Sequence, residues 1–169
     1  LADNPRLNVR DFPVLRQPYR IIVDSHLRTP PTSTVFEPNG GTVWLATCID
    51  AAARHAPYID RGAQVFSLPE TDTAHVDLHA LAALLAQQGI GELLLETGAT
   101  LSTAFLQAGL VDEIVLYQSP KILGDAAQGL FRLPEQPSAL HQMPQWQTRS
   151  VQVLGSDIKW VLQPRQPAS

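Results

Sequence analysis

Short apolar runs alternate with amphipathic segments in the first half of the chain. Residues 19–24 (YRIIVD) and 41–48 (GTVWLATC) are rich in apolar and β-branched side chains, and residues 63–68 repeat this pattern. Each run is short and bounded by turn residues, which is typical of a buried strand. The alanine-rich residues 50–58 favour one or two helical turns between the second and third runs. Strands and helices therefore alternate, as they do in an α/β fold.

The next segment has the clearest helical pattern of the chain. Four leucines recur at helical spacing within residues 78–88. Asp77 stands directly before this segment and is a good N-cap, because its carboxylate can accept the first free amides of a helix. Gly89 follows the segment and supplies the stop. We therefore predict a helix over residues 78–88.

A strand, a glycine turn and a second helix are expected further along the chain. Residues 93–95 are three leucines that end at Glu96, and they predict a fully apolar strand. Gly98 follows, and residues 101–108 have a helical apolar pattern. This order predicts that Gly98 lies between the carboxyl end of a strand and the start of a helix.

The last third of the chain predicts more strands and an antiparallel hairpin. Residues 114–117 form a further apolar run, and residues 149–154 and 157–163 flank the dipeptide Gly155-Ser156, a plausible tight turn. Residues 133–145 are rich in proline and polar side chains and predict a loop. The fold class we expect is α/β, with a mixed, mostly parallel sheet flanked by helices and a C-terminal antiparallel hairpin.

Length and charge narrow the possible functions. A chain of 169 residues with 44% hydrophobic residues fits one domain, which we place at residues 1–163, followed by a polar tail at 164–169. The formal net charge of −4 gives no basic field that would gather nucleic acid or an anionic membrane. No apolar stretch approaches the roughly 20 residues needed to cross a bilayer. Together with the single cysteine, this predicts a cytoplasmic protein.

Two predicted strand ends, Asp24-Ser25 and Glu96-Thr97-Gly98, are the first places to look for ligand chemistry, because ligands of open α/β sheets collect at the carboxyl ends of strands. Glycine lets a ligand approach the backbone, and free amides at a helix start attract phosphate. The alternative is that Gly98 only permits a sharp turn with Thr100 as a cap. Arg10 leaves a similar choice open, since it can hold a phosphate or belong to an exposed charged loop.

Several well-known sites are missing from the sequence. No G-x-G-x-x-G fingerprint opens a helix and no G-x-S-x-G elbow is present, which disfavours a standard dinucleotide-binding dehydrogenase and a serine hydrolase. His75 and His79 have the spacing of a helical zinc pair, yet Val76 stands where a metalloprotease needs glutamate. We predict no metal site.

Three segments together resemble a known family. They are ADNPRLNVR at residues 2–10, RIIVDSHLRTP at 20–30 and ETGATLSTAFLQAGLVDEIVLYQSPKILG at 96–124. They resemble, in order across nearly the whole chain, the C-terminal reductase domain of bifunctional riboflavin-biosynthesis deaminase/reductases. The long third segment is far more specific than a single glycine motif.

The resemblance implies a dihydrofolate-reductase-like fold and a specific reaction. This reaction is the NADPH-dependent reduction of 5-amino-6-(5-phosphoribosylamino)uracil, a phosphorylated ribosylamino-pyrimidine, to 5-amino-6-(5-phosphoribitylamino)uracil. It also implies a homodimer and a deaminase domain on the same full-length chain. The zinc motifs of a deaminase, H-x-E and P-C-x-x-C, are absent from this sequence, so deaminase activity is not expected here. Compared with the family, an N-terminal strand and helix are expected to be missing.

The family pattern also implies roles for individual residues. Leu7, Arg10 and Glu96 match substrate contacts, and Arg10 suits the substrate phosphate. Asp3 matches a cofactor-side contact and is the candidate for relaying a proton, although no catalytic residue is assigned. The remaining cofactor contacts implied by the resemblance are Ser25, Gly98, Ala99, Thr100, Leu101, Ser102, Thr103 and Ala104.

Two other functions remain open at this point. One is a reductase of the same fold that acts on another pterin or pyrimidine, because the cofactor loop is less specific for substrate than Arg10 and Glu96. The other is a non-catalytic fragment that supplies an oligomerisation surface, which is motivated by the missing N-terminal strand. Binding of NADPH would separate an enzyme from such a fragment.

Overall fold

The computed structural model describes residues 4–124, 127, 129–133 and 145–165. It divides into two compact units, of which the first ends at Gly91 and the second begins at Glu92. Most of the loop predicted at residues 133–145 and residues 166–169 of the predicted tail lie outside the described residues. The assignment of residues 1–163 to one functional domain stays a prediction.

The first unit contains a three-stranded parallel sheet. Its strands are β1 (Arg20–Val23), β2 (Val43–Thr47) and β3 (Gln64–Ser67), and their order in the sheet is β1-β2-β3. Every residue of the central strand β2 is buried. This burial explains why β2 is almost uniformly apolar, because a central parallel strand is covered on both faces. The three strands predicted from the apolar runs are confirmed.

Helix α1 (Ala52–Ile59) follows β2 and contains Pro57 in its last turns. Tyr58 is buried, and its hydroxyl donates hydrogen bonds to the carbonyl oxygens of Leu27 and Thr29 at 3.2 and 2.9 Å. A buried tyrosine needs such a partner for its hydroxyl. The same side chain therefore fixes α1 against the loop after β1.

Helix α2 (Leu78–Gln87) has the start and stop that its sequence predicts. The Asp77 carboxylate accepts hydrogen bonds from the amides of His79 and Ala80 at 2.8 and 3.1 Å. Gly89 has a φ of 78°, the left-handed conformation in which glycine commonly ends a helix. The helix predicted over residues 78–88 is confirmed to within one residue.

The core of the first unit lies around β2. Apolar side chains from the segment between β1 and β2, from β2 itself, from α1 and from the residue before β3 pack together, and Leu7 and Ile22 pack against this cluster. The buried members are Leu27, Val35, Phe36, Val43, Leu45, Tyr58 and Ala63.

The second unit contains helix α3 (Ala99–Gln107) and a three-stranded antiparallel sheet. The strands are β4 (Ile114–Gln118), β5 (Trp146–Leu154) and β6 (Asp157–Pro164), in the order β4-β6-β5. The turn that joins β5 to β6 contains Gly155 with a φ of 63°. The predicted C-terminal hairpin is confirmed, and α3 begins two residues earlier than predicted.

The strand predicted at residues 93–95 is not formed. These residues belong to none of the strands that the structure describes, and Leu94 is 75% exposed. An apolar run gives a strand only where another strand offers hydrogen bonds to it, and residues 93–95 pair with none of the described strands. The parallel and antiparallel strands consequently form two separate sheets, while the α/β class, the flanking helices and the hairpin agree with prediction.

Among the described residues, none of the helices has both the length and the apolar character required to cross a bilayer.

Candidate active site

The N-terminal loop, residues 4–10, carries two of the predicted substrate contacts and is tied to the first unit by hydrogen bonds. The amide of Thr34 donates to Oδ1 of Asn4 at 3.0 Å, and the Thr34 hydroxyl donates to the Asn4 carbonyl oxygen at 2.6 Å. Further along, Val9 and Gln17 exchange two hydrogen bonds of 2.9 and 3.1 Å. The loop is therefore held near both of its ends.

The backbone of the N-terminal loop is strained. Asn4 and Leu7 have φ values of 41° and 50°, in the left-handed region that residues other than glycine rarely adopt. Asparagine tolerates this conformation better than leucine does. The Leu7 side chain compensates by packing against the hydrophobic core. Strain of this kind persists only where surrounding contacts fix the backbone, and it is concentrated at functional sites.

Arg10 is exposed at the end of this loop. Within the part of the chain that the structure describes, its guanidinium takes part in no hydrogen bond or ion pair. A guanidinium in this state can form a bidentate pair with a phosphate without first breaking an internal contact. Asp3, the predicted cofactor contact and candidate proton relay, lies outside the described residues.

Asp24 organises the turn at the carboxyl end of β1. Its carboxylate accepts hydrogen bonds from the amides of Thr29 and His26 at 2.6 and 3.3 Å. Burial raises the pKa of the Asp24 carboxyl, but hydrogen bonds from the amides of Arg28, Thr29 and His26 outweigh it and leave the pKa below its ordinary value. Asp24 is therefore an ionised structural group and its acceptor capacity is used within the turn.

Ser25, a predicted cofactor contact, is already engaged by its own chain. Its hydroxyl oxygen accepts a hydrogen bond from the amide of Val76 at 3.0 Å, and its carbonyl oxygen accepts one from the amide of Cys48 at 3.1 Å. Burial raises the pKa of the Cys48 thiol, the Glu70 carboxylate raises it further, and a hydrogen bond with Ser25 opposes both. The Ser25 hydroxyl is therefore used within the first unit, and a ligand must compete with these contacts to bind it.

Gly98 is the N-cap of α3 and lies in the second unit. Its φ of −73° and ψ of 166° are extended, so the backbone conformation does not require glycine. A Cβ added there would meet no heavy atom within 4 Å, so internal packing does not require glycine either. No side chain among the described residues caps the helix, and the first intrahelical bond runs from the Ser102 amide to the Gly98 carbonyl oxygen at 3.1 Å. The three amides before Ser102 point out of the helix start without a partner in the described chain.

The hydroxyl groups of α3 differ in their availability. Thr103 is buried, and its hydroxyl donates to the Ala99 carbonyl oxygen and accepts from the Arg132 amide, both at 2.7 Å. The Ser102 hydroxyl lies 2.8 Å from the hydroxyl of Thr97. Thr100 is exposed and lies inside the first turn, so it is not the cap that the alternative reading of this turn required. Thr103 holds the helix to residues 129–133, and Thr100 keeps its hydroxyl for solvent or a ligand.

The predicted site residues thus fall into two groups. Leu7, Arg10 and Ser25 belong to the first unit, whereas Glu96 and residues 98–104 belong to the second. Glu96 is exposed, two residues before Gly98. Ala99 is buried, whereas Leu101 and Ala104 are half-buried.

Sequence reasoning did not single out two residues that support the N-terminal loop. They are Thr34, described above, and Arg20, whose buried guanidinium donates to backbone carbonyl oxygens near the loop. The signal available for Arg20 was a cation at the start of a buried strand, which is rarely tolerated without partners. Thr34 has no comparable signal, because it lies among ordinary turn residues.

Comparison with known proteins gives a consistent assignment. The RibD C-terminal domain family matches residues 1–160. The riboflavin biosynthesis protein RibD of Escherichia coli is 36% identical over 170 residues, which cover 94% of this chain and 44% of the relative. The 5-amino-6-(5-phosphoribosylamino)uracil reductase of Buchnera aphidicola is 28% identical over 177 residues, which cover 98% of this chain and 82% of the relative.

A solved structure agrees with these sequence matches. Acinetobacter baumannii RibD matches this structure with a TM-score of 0.77 at 30% identity, over 97% of this chain and 44% of that chain. This likeness supports the expected dihydrofolate-reductase-like fold. The chain spans less than half the length of the RibD proteins that it matches. Because the family match extends over residues 1–160, the chain belongs to the RibD C-terminal domain family.

Proposed function

We propose that this chain is an NADPH-dependent oxidoreductase of riboflavin biosynthesis that reduces 5-amino-6-(5-phosphoribosylamino)uracil to 5-amino-6-(5-phosphoribitylamino)uracil. The observation that carries the proposal is the family match over residues 1–160. It is supported by the Buchnera aphidicola relative, which has the name of this reductase and is covered over 82% of its length.

The start of α3 fits the phosphates of a dinucleotide. Its first three amides have no acceptor among the described residues, Gly98 leaves the approach to them open, and the positive end of the helix dipole favours negative charge. In the proposal, residues 98–104 and Ser25 hold the cofactor, with the exposed hydroxyl of Thr100 as a polar contact. Thr103 contributes by fixing the helix, because its hydroxyl is used internally. NADPH, when bound, supplies the hydride for the reduction.

The N-terminal loop fits the substrate side of the proposal. Arg10 carries an exposed guanidinium suited to the substrate phosphate, and Leu7 is held in place by the core. Glu96 is the third proposed substrate contact, through hydrogen bonds that its carboxylate can accept. Asp3 remains the candidate for relaying a proton, and water is the alternative donor. The chief contribution of these residues is to position the substrate.

A turnover assay with Arg10→Ala tests the substrate assignment. Loss of a charge-assisted phosphate contact should weaken binding by about 2–3 kcal/mol, so the KM for the phosphoribosylamino substrate should rise strongly. Arg16→Ala is the matched control, because Arg16 is exposed in the same segment and is not a proposed contact. Steady-state kinetics that are unchanged by Arg10→Ala would contradict the role of Arg10.

The same assay separates the proposed reaction from its alternatives. Turnover of another pterin or pyrimidine, with none of the phosphoribosylamino substrate, would indicate a different reductase of the same fold. Absence of NADPH binding in a folded chain would favour a non-catalytic fragment that serves oligomerisation.

Further proposals concern the organisation of the protein. They are a single reductase domain over residues 1–163, association as a homodimer, a deaminase domain on the same full-length chain and a cytoplasmic location. The relatives support the presence of further sequence, because the chain covers 44% of Escherichia coli RibD. Light scattering on the purified protein would test the dimer, and the mass and deaminase activity of the natural protein would test the second domain.

A further inference from the structure

We propose that Thr34 and Arg20 are positioning residues, which hold the N-terminal loop in its strained conformation so that Leu7 and Arg10 meet the substrate. The inference rests on the proposed function, since it assigns the loop to substrate binding. The two residues are not proposed to touch substrate or cofactor. Their effect is exerted through the backbone of residues 4–10.

The strain in the loop requires an external support. Asn4 and Leu7 both have positive φ, and Asp11 just beyond the loop has a φ of 66°. Three left-handed residues within eight positions, none of them glycine, would relax in an isolated peptide. The loop keeps the strained conformation because contacts with the rest of the first unit make its free energy lower than that of the relaxed conformations.

Thr34 supplies the first of these contacts. It begins the 3₁₀ turn Thr34–Phe36, whose valine and phenylalanine are buried in the core. Its hydroxyl donates to the carbonyl oxygens of Asn4 and Pro5 at 2.6 and 3.3 Å, while its amide donates to Oδ1 of Asn4 at 3.0 Å. A single residue fixed by the core thereby restrains both the backbone and the side chain at the first strained position.

Arg20 supplies the second contact with the loop. Its side chain is buried at the start of β1, and the guanidinium donates to the carbonyl oxygens of Gly41 and Glu37 at 2.5 and 3.1 Å. A longer hydrogen bond of 3.5 Å reaches the carbonyl oxygen of Arg6, directly before the strained Leu7. A Cβ added at Gly40 would collide with the guanidinium, so the chain leaves space for this cation.

Charge alone does not explain the arrangement around Arg20. The Glu37 carboxylate forms its ion pair with Arg6, at 3.6 Å, and this pair is largely exposed. Arg20 instead binds backbone carbonyl oxygens, which any side chain at those positions would provide. The guanidinium therefore acts as a fixed set of donors that join the loop to the segment between β1 and β2.

A preset loop lowers the cost of ordering it when substrate binds, because the bound conformation already predominates in the free protein. Loosening the loop should therefore raise the KM for the phosphoribosylamino substrate. The kcat should change much less, because the reacting groups have the same arrangement once the substrate is bound.

The test uses Thr34→Val and Arg20→Met in the complete chain. Thr34→Val keeps the β-branched shape and removes the hydroxyl donor, and Arg20→Met keeps an apolar stem and removes the guanidinium. Thr32→Val and Arg61→Met are the matched controls, since Thr32 is an exposed threonine two residues away and Arg61 donates to the Pro31 carbonyl oxygen without touching the loop. Amide hydrogen exchange of Val9 and of residue 34, whose amides donate to Gln17 and Asn4, is measured without ligand, and steady-state kinetics are measured with the substrate.

We expect exchange of the Val9 and residue 34 amides to become about fivefold faster in Thr34→Val, which corresponds to the loss of one hydrogen bond. The substrate KM should rise about fivefold in the same variant, with kcat within about twofold of wild type. Both controls should leave exchange and KM unchanged. If Arg20→Met does not fold, Arg20→Lys replaces it, and its single ammonium should keep part of the protection of the Val9 and Thr34 amides.

Unchanged exchange in Thr34→Val would overturn the proposal, and so would faster exchange with an unchanged substrate KM. The exchange experiment needs no activity, so it separates this inference from the proposed function. A wild-type chain that shows no turnover would contradict the reductase assignment and the link from loop to substrate. If exchange is nevertheless faster in Thr34→Val than in this wild type, Thr34 still holds the loop.

Discussion

Helices α2 and α3 differ in how their first amides are satisfied. At α2, the carboxylate of Asp77 accepts hydrogen bonds from the amides of His79 and Ala80. At α3, the N-cap is Gly98, and no side chain in the described part of the chain replaces the missing cap. Helix starts leave amides that need a partner, which a side chain, water or a ligand can supply. The chain provides this partner at α2 and leaves the position at α3 open.

The turn after β1 repeats the situation of α2. The Asp24 carboxylate accepts hydrogen bonds from amides of its own turn, and the hydroxyl oxygen of Ser25 accepts a hydrogen bond from the amide of Val76. Both this turn and the Gly98 turn follow segments that sequence reasoning marked as strand ends suited to ligands. Comparison of the turn after β1 with the Gly98 turn shows that a strand end can bind a ligand only through hydrogen-bonding groups that the chain has not already used.

The largest change in stability is expected at Asp24, whose carboxylate accepts hydrogen bonds from amides of the same turn. Asp24→Asn should lower the free energy of unfolding at pH 7 by about 2–3 kcal/mol, because it weakens hydrogen bonds to a buried carboxylate. The folded pKa of Asp24 lies below its ordinary value. This contribution is therefore fully present above about pH 4 and is lost as the pH falls through the folded pKa.

Urea unfolding at pH 7 and pH 3 measures this effect. The difference in unfolding free energy between wild type and Asp24→Asn should be smaller at pH 3, because this pH lies below the ordinary pKa of an aspartate and the unfolded chain is then largely protonated. Asp72→Asn, an exposed carboxylate in the same unit, is the control and should change little at either pH. A gap of equal size at both pH values would show that ionisation of Asp24 does not stabilise the turn.

A cap introduced at α3 should change binding and stability in opposite directions. Gly98 has extended backbone angles and open space around it, so Gly98→Asp gives α3 a carboxylate cap like that of α2. Unfolding should become less favourable by a few tenths of a kcal/mol. NADPH binding should weaken by about 2 kcal/mol, roughly thirtyfold, because the carboxylate occupies the amides and repels phosphate.

Gly91→Asp is the matched control for this variant. Gly91 is also exposed, and a Cβ there would meet no atom within 4 Å, but it does not precede a helix. It should leave the Kd for NADPH unchanged in a fluorescence titration. Equal Kd values for wild type and Gly98→Asp would mean that phosphate does not lie at the start of α3.

The smallest effect is expected from removing the cap of α2. Asp77→Ala should lower the free energy of unfolding by about 1 kcal/mol, a usual value for a lost N-cap. Thermal or urea unfolding followed by circular dichroism measures this loss. Asp77→Asn should recover most of it, because the asparagine side chain is an equally good cap. If alanine and asparagine were equivalent, the carboxylate hydrogen bonds seen at His79 and Ala80 would contribute nothing to stability.

The sequence predicts elements well where the signals are local. Helix α2 has its cap, its leucine spacing and its glycine stop within residues 77–89, and each of these acts without help from distant residues. Residues 93–95 have an equally clear apolar pattern, yet they form no strand. A strand requires a partner that lies far away in sequence, and no pattern within three leucines identifies one.

The candidate site shows the same difference between signals that are local in sequence and contacts between distant residues. Resemblance to the family located the N-terminal loop and the Gly98 turn, because their motifs are continuous in sequence. It did not identify Thr34 or Arg20, which act on backbone carbonyl oxygens about 14 to 30 residues away. The resemblance also could not show that the hydroxyl of Thr103 forms hydrogen bonds with the backbone of Ala99 and Arg132. Such contacts depend on tertiary structure and leave no mark in the local sequence.

A fluorescence titration of the wild-type chain with NADPH, paired with Gly98→Asp, tests the central claim most directly. We expect saturable binding to the wild type, with a Kd below about 1 mM, and binding about thirtyfold weaker in the variant. A wild-type chain that is folded by circular dichroism and shows no saturable NADPH binding would contradict this claim.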